Sequence, residues 1–137
     1  MIDILFIAFQ YPPINVGGSI RPYMFSKYLP QFNIKPIVLT LDPKSQDEYI
    51  VDQNNQLINK LPPEVIIHPI PLKKKNKKFF HKFNQIYLSI GDDKNKRWKT
   101  NVLIKIEELL SQNNIKAIYF TAPPFSNGNL AVEIAKS

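Results

Sequence analysis

Three sets of residues have the types and spacing to do chemistry. The first lies in "QYPPINVGGSIRP", residues 10–22, where Gly17-Gly18 stand just ahead of Ser19 and Arg21. A glycine pair lets a ligand approach the backbone closely. A helix starting behind it would offer unpaired N–H groups and the positive end of its dipole to an anion. Arg21 adds a cationic fork in the expected first turn, where positive charge is unwelcome unless an anion compensates it. The chemistry expected is the holding of a phosphate. The stretch is neither the G-x-G-x-x-G dinucleotide fingerprint nor a Walker loop, which needs G-K-[ST]. The plainer reading of the same residues is a tight corner, with Arg21 paired to a surface carboxylate.

The second set is "KKKNKKFFHKFNQIYLSI", residues 73–90. At helical spacing it puts Phe79, Phe83 and Ile90 on one face, with Lys77, Lys78 and Lys82 around them and Lys73, Lys74 and Lys75 leading in. A basic amphipathic helix of this kind suits an anionic membrane surface or a partner protein. It equally suits a packed helix whose lysines face solvent. Nucleic acid is not favoured, because Phe79 and Phe83 at helical spacing face a core or a bilayer more naturally than they stack on bases. The third set consists of single residues. His68 in a short strand reads as structural, and His81 as solvated. Asp92-Asp93 reads as a capped or solvated turn, not a metal pair. Trp98 reads as packing, with contact to a ligand as the alternative.

Composition narrows the classes. The 137-residue chain has no cysteine and two histidines, which removes disulfides, thiolate chemistry and a histidine-rich metal site. The net charge of +7 is concentrated: residues 73–105 carry eleven Lys/Arg against two Asp/Glu, while the flanking stretches are each at −1. Residues 73–99 therefore read as a basic insert within one domain spanning 1–137. The start, "MIDILFIAFQYPP", has Asp3 and Pro-Pro where a signal peptide would have a basic end and a small-residue cleavage site. No apolar run reaches the length of a spanning helix. The expectation is a cytoplasmic chain, at most peripheral on the inner face of the plasma membrane, with no cofactor.

Several elements must position these residues. "IDILFIAF" (2–9) is nearly continuously apolar and predicts a strand buried on both faces, as in parallel sheets. From Ser19, expected as the N-cap, Ile20, Met24, Tyr28 and Phe32 recur every four residues beside Phe25 and Leu29, predicting a helix with that stripe on the core and Pro22 in its first turn. "KPIVLTL" (35–41), "VIIHPI" (65–70) and "KAIYFTA" (116–122) predict three more strands. Helices are expected from the basic segment through Ser89, over 99–113 and from "NLAVEIAKS". The fold class expected is α/β: a Rossmann-like three-layer domain with a mainly parallel sheet, apparently cut short after its last helix. In such sheets the ligand crevice lies beyond the carboxyl ends of the strands, where loops 10–19 and 122–128 both leave.

The stretch "YPPINVGGSIRPYMFSKYLPQFNIKPIVLT" resembles the start of the retaining GT-B glycosyltransferases of family 4. "DDKNKRW" followed by a helix, and then "IYFTAPPFSNGNLAVEIAK", continue the likeness. The latter is similar to a segment of members acting on envelope polysaccharides and lipid-linked sugars. The resemblance covers 2–137 and implies the incomplete N-terminal, acceptor-side half of a GT-B enzyme. It implies Gly17 and Gly18 at the diphosphate of a nucleotide-sugar donor, with Arg21 in support. It places Pro124, Phe125, Ser126 and Asn127 on the side of a glycan or lipid-linked acceptor. The E-x(7)-E donor motif belongs to a second domain, so the donor would need a C-terminal domain or separate subunit. No histidine matches the one that many members place near the reaction centre. The alternatives from other classes are a non-catalytic α/β binding module and, less favoured, a nucleic-acid-binding protein using 73–99.

Overall fold

The structure, a computed structural model, describes residues 1–45, 49–72, 93–122 and 125–136, and of residues 93–96 the backbone. Its elements are β1 (Ile2–Ile7), α1 (Gly17–Tyr28), β2 (Ile34–Leu41), β3 (Ile66–Ile70), α2 (Asp93–Gln112), β4 (Ile115–Phe120) and α3 (Ser126–Ala135). The four strands form one parallel sheet in the order β3-β2-β1-β4. The expected strands fall within two residues of these bounds. The helix expected through Ser89 lies outside the described residues, as do Lys73–Lys78, Phe79, His81, Phe83, Asp92 and Pro124.

Alternation along β1 builds the layers. Leu5, Ile7 and Phe9 point to one face and join Ile37, Leu39 and Leu41 of β2. Trp98, Val102, Ile106 and Leu109 of α2, and Leu130, Ala131 and Ile134 of α3, cover that face. Phe6 and Ala8 point to the other face, with Val38, and meet Tyr11 and Tyr23 of α1. Leu57, Ile58, Leu61 and Val65, from the connection between β2 and β3, complete that second cover. The result is a small α/β domain with helices on both sides of a parallel sheet, Rossmann-like in general terms. Both central strands read as nearly continuous apolar runs beyond Asp3 and Lys35, because both of their faces are dry there. Trp98, 1% exposed, meets Phe9 edge-on with ring centroids 5.1 Å apart, so the packing reading of this residue holds. α2 begins six residues ahead of the expected 99, which brings Trp98 into its apolar stripe.

α1 departs from expectation. Its buried residues are Ser19, Pro22, Tyr23 and Ser26, while Ile20, Met24, Phe25, Tyr28 and Phe32 are exposed. The stripe on the sheet does have helical spacing, but it is made largely of small side chains that let the helix approach Phe6 and Ala8. Its hydroxyls are satisfied locally: Ser19 Oγ donates to the Val16 carbonyl at 2.7 Å and Ser26 Oγ to that of Tyr23 at 2.9 Å. The Tyr11 and Ser26 hydroxyls lie 2.5 Å apart across the interface. The helix also starts two residues early, at Gly17, so Val16 occupies the cap position and Ser19 the third helical one. Pro22 thereby moves beyond the first turn, and the Gly18 carbonyl loses its i+4 donor.

Burial pushes the Tyr11 phenol up to about 12, outweighing the Ser26 hydrogen bond that lowers it. A raised folded-state value means the stability it supports is whole below the unfolded phenol's pKa of about 10 and is lost as pH rises toward the folded value. Tyr11→Phe should therefore be less stable than the parent by about 1 kcal/mol at neutral pH, for the lost hydrogen bond. That gap should close above about pH 10. Urea midpoints of the two proteins at neutral and alkaline pH check both points; a gap independent of pH would refute the assignment.

Candidate functional site

The carboxyl end of the sheet is built by the chain leaving β1 and the chain leaving β4. The two strands are neighbours, and the Thr121 N–H donates to the Ile7 carbonyl at 3.1 Å. From there they diverge, β1 toward α1 on one face and β4 toward α3 on the other. This is the topological switch point of the sheet, where open α/β domains place their ligand crevice.

On the β1 side the loop is held firmly. Ile14 bridges Val51, the Asn15 N–H donates to the Ile50 carbonyl at 2.7 Å, and the Asp52 N–H to that of Pro13 at 2.8 Å. The loop ends in the exposed Gly17 and Gly18, the first two residues of α1. No side chain caps this helix start and no acidic residue lies in its first turn. Neither glycine has positive φ, so the pair does not serve to supply left-handed backbone. What the glycines provide is bareness: a Cβ on Gly17 would meet nothing within 4 Å. On Gly18 it would displace only the amide end of Gln10. Arg21 stands one turn below Gly17, in the second turn and not the first, exposed and with no ion-pair partner among the described residues. The surface carboxylate of the plainer reading is thus not found there. Uncapped N–H groups, half of a helix dipole and a free guanidinium on one helix face can together hold a phosphate or diphosphate.

On the β4 side, Phe125 is 82% exposed and Ser126 is exposed at the start of α3. Asn127 differs from its neighbours: it is 2% exposed, and its Nδ2 donates to the Thr121 carbonyl at 3.0 Å. It ties the loop to the strand end, which leaves Phe125 and Ser126 as the described residues of this loop open to a ligand. Gly128 faces Phe120, whose ring would be 3.2 Å from an added Cβ.

A polar cleft of about 340 Å³ lies on the other side of the opening loop, lined by Pro12, Asn15, Asp52, Asn55 and Gln56 among others. Sequence reasoning missed it because residues 42–64 carry no periodic pattern. The signal was local: Asp52 accepts from the N–H groups of Asn54 and Gln56, at 3.1 and 2.8 Å, folding the segment into a turn with Asn55 at φ 51°. Each oxygen of Asp52 accepts one of these N–H groups, so the cleft is walled by amides and this one carboxylate. His68 sits on the α2 side of the sheet, its pKa lowered by partial burial and by nearby Lys105, which matches a structural role. Among the described residues no group of three or more His, Asp or Glu is placed to hold a metal ion. No helix among them is long and apolar enough to cross a membrane.

No family model matches the chain, and no curated protein matches it, so its likeness to other proteins rests on the motifs quoted from the sequence.

Proposed function

We infer that the chain is the acceptor-side domain of a retaining GT-B glycosyltransferase similar to family 4. It would take part in transfer of a sugar from a nucleotide-diphosphate donor to a glycan or lipid-linked acceptor in envelope polysaccharide synthesis. The observation that carries the reading is the bare, uncapped start of α1 at the β1/β4 switch point, with Arg21 one turn below it. In the mechanism this supports, Gly17 and Gly18 N–H groups and Arg21 face the donor's diphosphate. They stabilise the charge that grows on it as the bond to the sugar's anomeric carbon breaks. The acceptor hydroxyl enters from the side of Phe125 and Ser126, forms the new bond on the same face of the sugar, and passes its proton to the oxygen of the departing diphosphate.

A second domain is part of the proposal, because the donor's nucleotide and the paired glutamates have no counterpart here. The sheet edges bear on this domain's own sheet. β3 is an edge strand blunted by Pro69, which offers no N–H for pairing. β4, at the opposite edge, has no proline and borders an apolar groove of about 460 Å³ lined by Ile115, Ile118, Phe120 and Val132 among others. That edge suits a further strand.

The test is sugar transfer by this chain joined to, or mixed with, a GT-B donor-binding domain, using a labelled nucleotide-diphosphate sugar and a lipid-linked acceptor. Transfer should proceed with retention at the anomeric carbon. It should also survive EDTA, since backbone N–H groups, a helix dipole and Arg21 supply the positive field at the leaving group. Loss of turnover in EDTA, restored by a divalent cation, would contradict this part of the mechanism.

A further inference from the structure

The apolar stripe expected to anchor α1 in the core faces outward instead. Met24, Phe25, Tyr28, Leu29 and Phe32 line a groove of about 490 Å³ whose wall exposes no polar atom, and Ile20 extends the stripe toward the helix start. Phe32 is 71% exposed, at the end of the 3-10 turn that follows the helix. Ile20, Met24, Phe25 and Tyr28 on the helix and Phe32 in the turn after it, all open to water, are more than scattered surface residues, and they mark a contact surface.

The charge around the stripe indicates what covers it. From Gly17 to Ile34 the chain has no Asp or Glu, and its two charged residues are Arg21 and Lys27. Lys27 Nζ lies 5.7 Å from the Tyr28 ring centroid, at the border of the stripe. A second copy meeting this face would set Arg21 and Lys27 against their own equivalents with no acid in the segment to pair them, which disfavours it. An apolar, partly aromatic face with cations at its border and no acid suits an anionic bilayer. There, aromatic rings sit at headgroup depth and Lys and Arg reach back to lipid phosphates. α1 is held to the sheet by its small-residue face, so the opposite face is free to lie along such a surface.

We propose that the outward face of α1, from Ile20 to Phe32, is a docking surface for the headgroup and upper acyl region of an anionic membrane. This is separate from any binding by the lysines of 73–90, and it does not depend on the sugar-transfer reading. The test is flotation of the chain with vesicles of phosphatidylcholine containing phosphatidylglycerol, and with phosphatidylcholine alone. The parent should bind the anionic vesicles and bind the neutral ones more weakly. Met24→Gln with Phe32→Gln should lower the fraction bound to anionic vesicles by about tenfold, with an unchanged far-ultraviolet circular dichroism spectrum. The same pair should still lower binding when Lys73, Lys74, Lys75, Lys77 and Lys78 are glutamine. In a Phe32→Trp variant, emission should shift to the blue and be quenched by brominated acyl chains. Unchanged flotation of the Met24/Phe32 pair would overturn the proposal. So would absence of vesicle binding by the parent, or light scattering showing a dimer that the pair dissolves while no vesicle is bound.

Discussion

Replacing Trp98 by alanine should cost about 3–5 kcal/mol and leave the chain at the edge of unfolding at room temperature. The indole is among the largest fully buried side chains, and it fills the space between α2 and the far end of β1. Its edge-on contact with Phe9 adds to the area it buries. Its Nε1 has no hydrogen-bond partner among the described residues, so the loss is one of packing and aromatic contact. Trp98→Phe keeps most of the volume and should cost less, about 1.5 kcal/mol. Denaturation followed by circular dichroism checks both values, since the only tryptophan is the one removed. In the parent, emission should be that of an indole in a dry core. A Trp98→Ala protein as stable as the parent would mean that α2 does not pack on the sheet as described.

The second large effect concerns activity. In the complete two-domain enzyme, Arg21→Ala should lower the transfer rate by about a hundredfold, the size expected when one stabilising group is taken from a developing anion. Arg21 is exposed and unpaired among the described residues, so the fold should change by less than about 0.5 kcal/mol. Gly17→Ala is the sharper companion. A methyl there points into open space and sits on helical backbone, so stability should hold or rise by about 0.5 kcal/mol. If a diphosphate occupies that space, turnover should fall all the same. Gly18→Ala is less informative, because the methyl first displaces the Gln10 amide. Full turnover in both Arg21→Ala and Gly17→Ala would reduce the loop to a corner.

The sheet was legible because its strands are apolar on both faces: "IDILFI" and "IVLTL" have no alternation to confuse with a surface strand. α1 was legible as a helix but not in its orientation. Apolar periodicity assumes that the largest side chains go inside, whereas here Ser19, Pro22 and Ser26 seat the helix and the Phe and Met residues look out. The connection from 49 to 65 was opaque for another reason: its cover of the sheet comes from Leu57, Ile58 and Leu61 around a single 3-10 turn, too short to show a period. The site was legible in its position, since glycines, arginine and strand ends are all in the sequence order. Its cap was misread. Val16 and not Ser19 takes the cap position, so the glycines become the helix's first residues and serve by lacking side chains, with ordinary helical backbone.

The most direct test of the central claim is an amide-resolved NMR titration of a nucleoside diphosphate into the chain. The largest shifts should fall on Gly17 and Gly18, follow one binding curve, and weaken in Arg21→Ala. Shifts confined to the lysines of 73–82, or none at the start of α1, would contradict the account.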